Sequence, residues 1–146
     1  AGVITILFDM GKGAIPTAIA LQAGLRPPEL IAVAVAPVIG HCWPFYKIIR
    51  LDRGGRGLGP ATGALFAMAF REVVLAYVLG ALVAYRLRWL PSVGIVAFPL
   101  GLILMLLWRV PPERLTAAFA VMLVVLIRNV GLLWTVLRTR GARLPH

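Results

Sequence analysis

The sequence predicts an all-α protein, a polytopic bundle of about six transmembrane helices in which some segments are short or broken. Three observations carry this prediction. Hydrophobic residues make up 61% of the chain and charged residues only 14%, whereas roughly half of an ordinary globular chain is apolar and about a quarter is charged. The apolar residues form long runs separated by short turns rich in proline, glycine and charge. Basic residues collect in some of those turns, as they do beside membrane helices.

Length and charge restrict the class of protein further. At 146 residues the chain has the length of a single domain, 1–146. It has 15 basic residues against 5 acidic ones, a formal net charge of +10. Because these residues interrupt apolar runs instead of covering one face, we expect membrane lipids as partners and not nucleic acid. No basic region precedes the first apolar run, so no cleavable signal peptide is predicted. Since the chain opens on Ala1 inside that run, we expect an N-terminal part of the protein to precede it.

The first predicted membrane segment extends from about residue 1 to residue 23 and has charges near its middle. Asp9 and Lys12 are three residues apart, so they share a helix face and are expected to pair. Two interpretations stay open. The pair neutralises itself so that it tolerates burial, or the lysine is directed at an anion while Asp9 orients it. A turn follows at residues 24–29, because Pro27 and Pro28 cannot continue the helix.

The second segment, about Leu30 to Phe45, ends near His41 and leads into a basic, glycine-rich loop. A histidine at a helix end is either a packing residue or a catalyst, and the sequence does not decide between them. The loop, residues 46–59, contains four basic side chains and four glycines: Lys47, Arg50, Arg53, Arg56, Gly54, Gly55, Gly57 and Gly59. The arginines are typical of a cytoplasmic anchor, but an anchor does not need the glycines. Glycine lets backbone N–H groups approach a ligand, so we predict that this loop binds a phosphate.

The stretch from Ala61 to Leu87 is apolar except at Arg71 and Glu72, and it is long for one span. As a single span it would place Arg86 and the basic C-terminal tail on the side opposite the loop, against the distribution of positive charge. A turn at Arg71-Glu72 returns all of them to the loop side. We therefore predict two short helices, the first of which has to be buried in the bundle or to cross where the membrane is thin.

The remaining chain forms two further predicted segments. One extends from Pro91 to about Trp108, and the other begins near Arg114 after a proline turn. Asn129 follows Arg128 late in the last segment, where it either marks the membrane boundary or contacts a ligand. The two histidines, His41 and His146, are far apart in the sequence, and no metal-ligand spacing is present. No metal and no cofactor is predicted.

Three pieces of the sequence, in order, resemble the bacterial acyl-phosphate:glycerol-3-phosphate acyltransferases. Residues 9–16, Asp-Met-Gly-Lys-Gly-Ala-Ile-Pro, are similar to the family's Asp-x-x-Lys-Gly-x-x-Pro. Residues 40–45, Gly-His-Cys-Trp-Pro-Phe, are similar to its Gly-His-x-Phe-Pro-x-Phe. Residues 53–57, Arg-Gly-Gly-Arg-Gly, are similar to its Lys-Gly-Gly-Lys-Gly. The order and spacing of these pieces make the set more specific than any one of them.

The resemblance implies a multi-pass enzyme of the bacterial inner (plasma) membrane whose active site faces the cytoplasm. It implies transfer of a fatty acyl group from acyl-phosphate to the 1-hydroxyl of glycerol 3-phosphate, which gives lysophosphatidic acid for phospholipid synthesis. On this hypothesis His41 is the catalytic candidate, and Asp9 and Asn129 are possible substrate contacts. The substrate phosphate is held by residues of the first helix and the loop: Lys12, Arg53, Gly54, Gly55, Arg56 and Gly57.

The sequence also departs from the family pattern. The family has a further first helix and loop before the point where this sequence begins, and about three fewer residues in the basic loop. Its C-terminal His-Arg-x-Asn-Ile has Leu126 at the histidine position here, and no later glutamate follows. The missing C-terminal histidine and glutamate favour an alternative, a non-catalytic membrane homologue that binds lipid head groups or serves as an assembly subunit. Lys12, His41 and the Gly-Gly-Arg-Gly run argue for the enzyme, because a bare scaffold does not need them.

Overall fold

The computed structural model describes residues 2–44, 55–87 and 92–141. These residues form six α-helices and no strand, which confirms the all-α prediction. The helices are α1 (Gly2–Gln22), α2 (Pro27–Cys42), α3 (Leu58–Met68), α4 (Phe70–Leu87), α5 (Ser92–Leu107) and α6 (Pro112–Gly141).

The first turn forms where the two prolines predict it. Gly24 takes a left-handed conformation (φ 65°), which ends α1 at little steric cost. Pro27 and Pro28 then occupy the first turn of α2, where a missing N–H is tolerated. For that reason α2 begins three residues before the predicted Leu30. The carboxylate of Glu29 accepts a hydrogen bond from the Arg26 N–H at 3.0 Å and pairs with the Arg26 guanidinium.

The long apolar run after the loop is divided into two helices, as the charge distribution predicts. The break lies at Ala69 (φ −155°, ψ 69°), two residues before the predicted turn at Arg71. The helix ends earlier because tertiary contacts support its end. The Arg114 guanidinium donates to the Met68 carbonyl at 3.3 Å, one of the acceptors that a helix end leaves without a partner.

Helix α3 is short and lies inside the bundle. Its 11 residues span about 16 Å at 1.5 Å per residue, about half the thickness of a bilayer core. Most of its residues are buried, from Pro60 to Leu65 and again at Met68. Of the two solutions expected for a short helix, the structure therefore shows burial in the bundle.

Glycines bring α1 and α3 into close contact. A Cβ atom added at Gly13 would lie 1.9 Å from the Pro60 carbonyl oxygen, and one at Gly63 would lie 1.9 Å from the Met10 carbonyl oxygen. No other residue type allows two helix backbones to approach so closely. This contact places the N-terminal end of α3 beside the middle of α1.

The helices alternate in direction, so their ends form two opposite faces of the bundle. The Tyr77 ring lies 6.1 Å from the Phe66 ring, and the Tyr77 hydroxyl is hydrogen-bonded to Thr62, which shows that α4 runs back along α3. Gly80 approaches Val93 and Ala97, so α5 runs opposite to α4. We call the face that contains His41, Gly55–Leu58, Leu87, Ser92 and Asn129 the loop end. The opposite end holds the turns at residues 23–26, 69 and 108–111.

The core consists mainly of small side chains, and the outer surface is strongly apolar. Fully buried core residues include Ala34, Ala61, Ala64, Ala117 and Ala118. Large hydrophobic side chains cover the outside, among them Ile4, Phe8, Ile15, Ile19 and Trp134. Among the residues that the structure describes, two helices are long and apolar enough to cross a membrane, Val3–Gln22 and Pro112–Gly131. Three apolar helices there are shorter: Pro27–Cys42, Leu58–Met68 and Val96–Leu107.

Candidate functional site

The candidate site lies at the loop end, where four parts of the chain meet. Helix α1 contributes Asp9 and Lys12, and α2 contributes His41 from its last turn. The returning loop contributes residues 55–57, and α6 contributes Asn129. Side chains that are far apart in the sequence therefore share one surface of the bundle.

Asp9 connects the lysine and the histidine. Its Oδ1 accepts a hydrogen bond from Lys12 Nζ at 2.9 Å, which confirms the pairing expected from their spacing. His41 Nδ1 lies 3.6 Å from the same oxygen. This distance suits an ion pair when the ring is protonated but is long for a hydrogen bond. One carboxylate can therefore orient an amine on its own helix and an imidazole on the next.

Exposure shows which member of this group faces outwards. The Lys12 side chain is 60% exposed, whereas Asp9 is 19% and His41 25% exposed. If the pair only neutralised its own charge inside the bundle, both side chains would be buried. Here the ammonium group is exposed while the carboxylate behind it is mostly covered, so the charge of Lys12 is not enclosed with that of Asp9.

Gly55 packs against His41. Its N–H donates to the His41 carbonyl at 3.1 Å, and a Cβ atom at this position would lie 2.0 Å from Nε2 of the imidazole. This N–H is consequently occupied, so Gly55 contributes close approach of the backbone and not a free donor. A side chain at position 55 would collide with the imidazole of His41, which explains why a glycine stands there.

Gly57 and Gly59 fit the loop against helices on either side. Gly57 has a φ of 76°, in the left-handed region, and a Cβ there would lie 2.6 Å from the Cys42 sulfur. A Cβ at Gly59 would lie 2.7 Å from Cβ of Asp9. The N-terminal turn of α3 thus begins at the site, and the N-terminus of a helix favours anions.

Helix α6 holds the loop from the other side. Asn129 Nδ2 donates to the Arg56 carbonyl at 3.0 Å and to the Val125 carbonyl at 2.8 Å. Sequence reasoning left Asn129 as a membrane boundary or a ligand contact, and the structure shows that it contacts the backbone of the loop. Arg128 Nε also donates to the Gly55 carbonyl at 3.2 Å. Sequence reasoning missed Arg128 as a site residue, although its position next to Asn129 was a signal.

The predicted phosphate-binding residues are only partly covered by the structure. Arg56 is exposed at the loop end and follows Gly55, which packs against His41. Arg53 and Gly54 lie outside the described residues, so their role stays a prediction. Within ranges 2–44, 55–87 and 92–141, no three His, Cys, Asp or Glu side chains are placed to hold a metal ion. The described site is cationic, with Lys12, Arg56 and Arg128 against one carboxylate, and so it suits an anionic ligand.

Comparison with known proteins identifies the family. The family model described as glycerol-3-phosphate acyltransferase matches residues 1–136. The chain belongs to the glycerol-3-phosphate acyltransferase family. This confirms the resemblance inferred from the three motifs. No solved structure matches the chain.

Curated relatives with that name cover most of the chain. The glycerol-3-phosphate acyltransferase of Pseudomonas entomophila is 34% identical over 123 residues, 84% of this chain and 63% of the relative. That of Methylococcus capsulatus is 28% identical over 144 residues, 99% of this chain and 71% of the relative. That of Rubrobacter xylanophilus is 42% identical over 69 residues, 47% of this chain and 33% of the relative. The chain thus spans 63% of the Pseudomonas protein's length.

Proposed function

We propose that this chain is an integral membrane acyltransferase that moves a fatty acyl group from acyl-phosphate to the 1-hydroxyl of glycerol 3-phosphate. The products would be lysophosphatidic acid, the first intermediate of a phospholipid, and inorganic phosphate. One observation carries the proposal. In a member of this family, Asp9, Lys12, His41 and Arg56 converge at one end of the bundle, where an exposed ammonium group and a guanidinium group are available to phosphates.

Two features support phosphate binding: the positive charge of exposed basic side chains and the N-terminus of α3. Both substrates carry a phosphate, and Lys12 and Arg56 are exposed at the loop end to meet them. The N-terminal turn of α3 adds positive potential at the same place. Arg53 and Gly54 precede this segment directly in the chain, and we expect them to add a second guanidinium and further backbone to the phosphate site.

The reaction then needs little covalent chemistry from the protein. The glycerol hydroxyl oxygen attacks the acyl carbonyl carbon, a new C–O ester bond forms, and the bond from that carbon to the phosphate oxygen breaks. Acyl-phosphate is already an activated donor, so positioning and charge neutralisation suffice without a protein nucleophile. The hydroxyl proton passes to the leaving phosphate or to His41. Nδ1 of His41 faces Asp9, so the acceptor would be Nε2, which lies beside Gly55 of the loop.

The distribution of charge supports a multi-pass arrangement with the loop end in the cytoplasm. Basic residues outnumber acidic ones in the loop, and Arg86 at the end of α4 and Arg138 and Arg140 near the end of α6 have no acidic neighbour in the sequence. At the opposite end Arg26 is paired with Glu29, and Arg71 and Arg114 each stand next to a glutamate. Loops rich in basic residues stay on the cytoplasmic side of a membrane, so the loop end would face the cytoplasm in the bacterial inner membrane. Membrane lipids would surround the apolar outer surface.

The test is acyl transfer from palmitoyl-phosphate to radiolabelled glycerol 3-phosphate, in membranes that contain this chain or a version extended upstream. Arg56→Ala should reduce the rate by at least about tenfold, because it removes a charge-assisted contact to phosphate. Arg86→Ala is the matched control, since this arginine is also exposed near the loop end but lies on α4. Undiminished transfer by the Arg56 variant would refute the phosphate-binding role.

A second candidate function is a non-catalytic member that binds lipid head groups or serves in an assembly. Leu126 at the position of the family's C-terminal histidine favours it. Folded protein that binds vesicles containing anionic lipid but transfers no acyl group, in the extended version as well, would support this alternative. Transfer by either version would exclude it.

A further inference from the structure

The segment Gly55–Arg56 is tied to two helices by its backbone. The Gly55 N–H donates to the His41 carbonyl on α2 at 3.1 Å. The Gly55 carbonyl accepts from Arg128 and the Arg56 carbonyl accepts from Asn129, both on α6, at 3.2 and 3.0 Å. Three polar groups of the loop backbone therefore have defined partners, while the Arg56 side chain is exposed.

Arg128 also contacts the end of α2. Its guanidinium carbon lies 5.5 Å from the centroid of the Trp43 ring, in the range of a cation–π interaction. Trp43 follows Cys42 at the C-terminus of α2, two residues after His41. Arg128 consequently bridges the returning loop and the helix end that contains the imidazole. Neither the proposed reaction nor the family motifs use this residue.

We propose that Arg128 is a positioning residue, which holds the Gly55–Arg56 segment against α2 so that Arg56 and His41 face the same substrate. The proposal rests on the proposed function. The guanidinium is planar, so it can contact the indole ring with its face while Nε donates to a carbonyl at its edge. Rotation of the Gly55 peptide would change the direction in which the Arg56 side chain leaves the loop. Arg128 resists this rotation through its contacts with the Gly55 carbonyl and the Trp43 ring.

The cysteine beneath the loop provides a test that needs no activity. Cys42 is the only cysteine of the chain, it is 1% exposed, and Gly57 lies directly over its sulfur. The rate at which a maleimide labels Cys42 in folded protein therefore reports how often the loop leaves α2. We expect Arg128→Ala to raise this rate by about tenfold or more.

Arg114→Ala is the matched control for the labelling experiment. Arg114 is another arginine of α6, and it too donates to a backbone carbonyl, that of Met68, but at the opposite end of the bundle. Its loss should leave the labelling rate of Cys42 unchanged. Equal labelling of wild type, Arg128→Ala and Arg114→Ala would overturn the proposal. Equally raised labelling in both variants would also overturn it, because it would show general loosening of the bundle.

Kinetics test whether Arg128 acts through Arg56. Arg128→Ala alone should lower kcat/KM for glycerol 3-phosphate by about tenfold to a hundredfold, as a misplaced substrate contact does. In an Arg56→Ala background the same change should have almost no further effect. Independent, multiplying losses would contradict the positioning role. Arg128→Lys keeps the charge but not the planar group, so we expect it to behave like Arg128→Ala, and full rescue by lysine would overturn the proposed contact.

The two readouts separate this inference from the proposed function. If no version of the chain transfers acyl groups but Arg128→Ala still exposes Cys42, the proposed function fails and the contact of Arg128 with the loop stands. If wild type transfers acyl groups and Cys42 stays protected in Arg128→Ala, the proposed function stands and the inference fails.

Discussion

Gly55 lies so close to His41 that a Cβ atom on it would be 2.0 Å from the Nε2 atom of the imidazole. No real Cβ contact is that short, so either the ring or the loop backbone has to move when position 55 has a side chain. The Gly55 N–H is hydrogen-bonded to the carbonyl of the same histidine, which limits the movement of the loop. Ring and loop are thus fitted to each other.

We predict that Gly55→Ala lowers acyl transfer by about a hundredfold or more, because it displaces either His41 or Arg56 from the site. Gly40→Ala is the control, since a Cβ at Gly40 meets nothing within 4 Å although it neighbours His41 in the sequence. Rates are measured with palmitoyl-phosphate and labelled glycerol 3-phosphate in membranes that contain equal amounts of each variant. Normal transfer by Gly55→Ala would show that the close contact is not needed.

We predict that Gly13→Ala destabilises the bundle by about 1–3 kcal/mol, because its Cβ would enter the α1–α3 contact and meet the Pro60 carbonyl. Gly11→Ala serves as the control on the same helix. Its Cβ would meet only the end of the Ile15 side chain, at 3.9 Å. Unfolding in detergent with increasing denaturant, followed by circular dichroism, measures the difference. Equal stability of the two variants would mean that α1 and α3 can separate at no cost.

We predict that Asp9→Asn lowers kcat by about tenfold to a hundredfold, because the amide no longer attracts the Lys12 ammonium and His41 through one charged oxygen. Glu29→Gln is the matched control. Glu29 also pairs with a basic residue three positions away, Arg26, but at the opposite end of the bundle. Steady-state kinetics of both variants provide the comparison. A loss of the same size in Glu29→Gln would point to stability and not to the site.

Much of the helix arrangement was predictable because its causes are local. The number of helices follows from apolar runs and from prolines such as Pro27 and Pro28, which act on their own neighbourhood. The division of residues 61–87 into two helices was predicted because a single span would place Arg86 on the side of the membrane opposite the basic loop. The exact break at Ala69 was not predictable, since the Arg114 contact that supports it comes from 46 residues away.

The sequence predicted which residues belong to the candidate site better than it predicted how they contact each other. Asp9 and Lys12 are three residues apart on one helix, so their pairing follows from helical geometry. The phosphate-binding role of Arg53 and Gly54 stays a prediction. The contact of Gly55 with His41, through its N–H and its missing side chain, was not predictable, because no local pattern reveals this neighbour.

By itself the sequence determined that this chain is helical and apolar, that its positive charge gathers in one loop and tail, and that its motifs are those of the glycerol-3-phosphate acyltransferase family. Only the tertiary structure decided that Arg128 and Asn129 hold the returning loop, which is 73 residues away along the chain. The physical reason is that apolar length, proline and charge act within a few residues. A side chain that binds a distant backbone carbonyl leaves no periodicity in the sequence, and it becomes visible only when α6 packs beside α2.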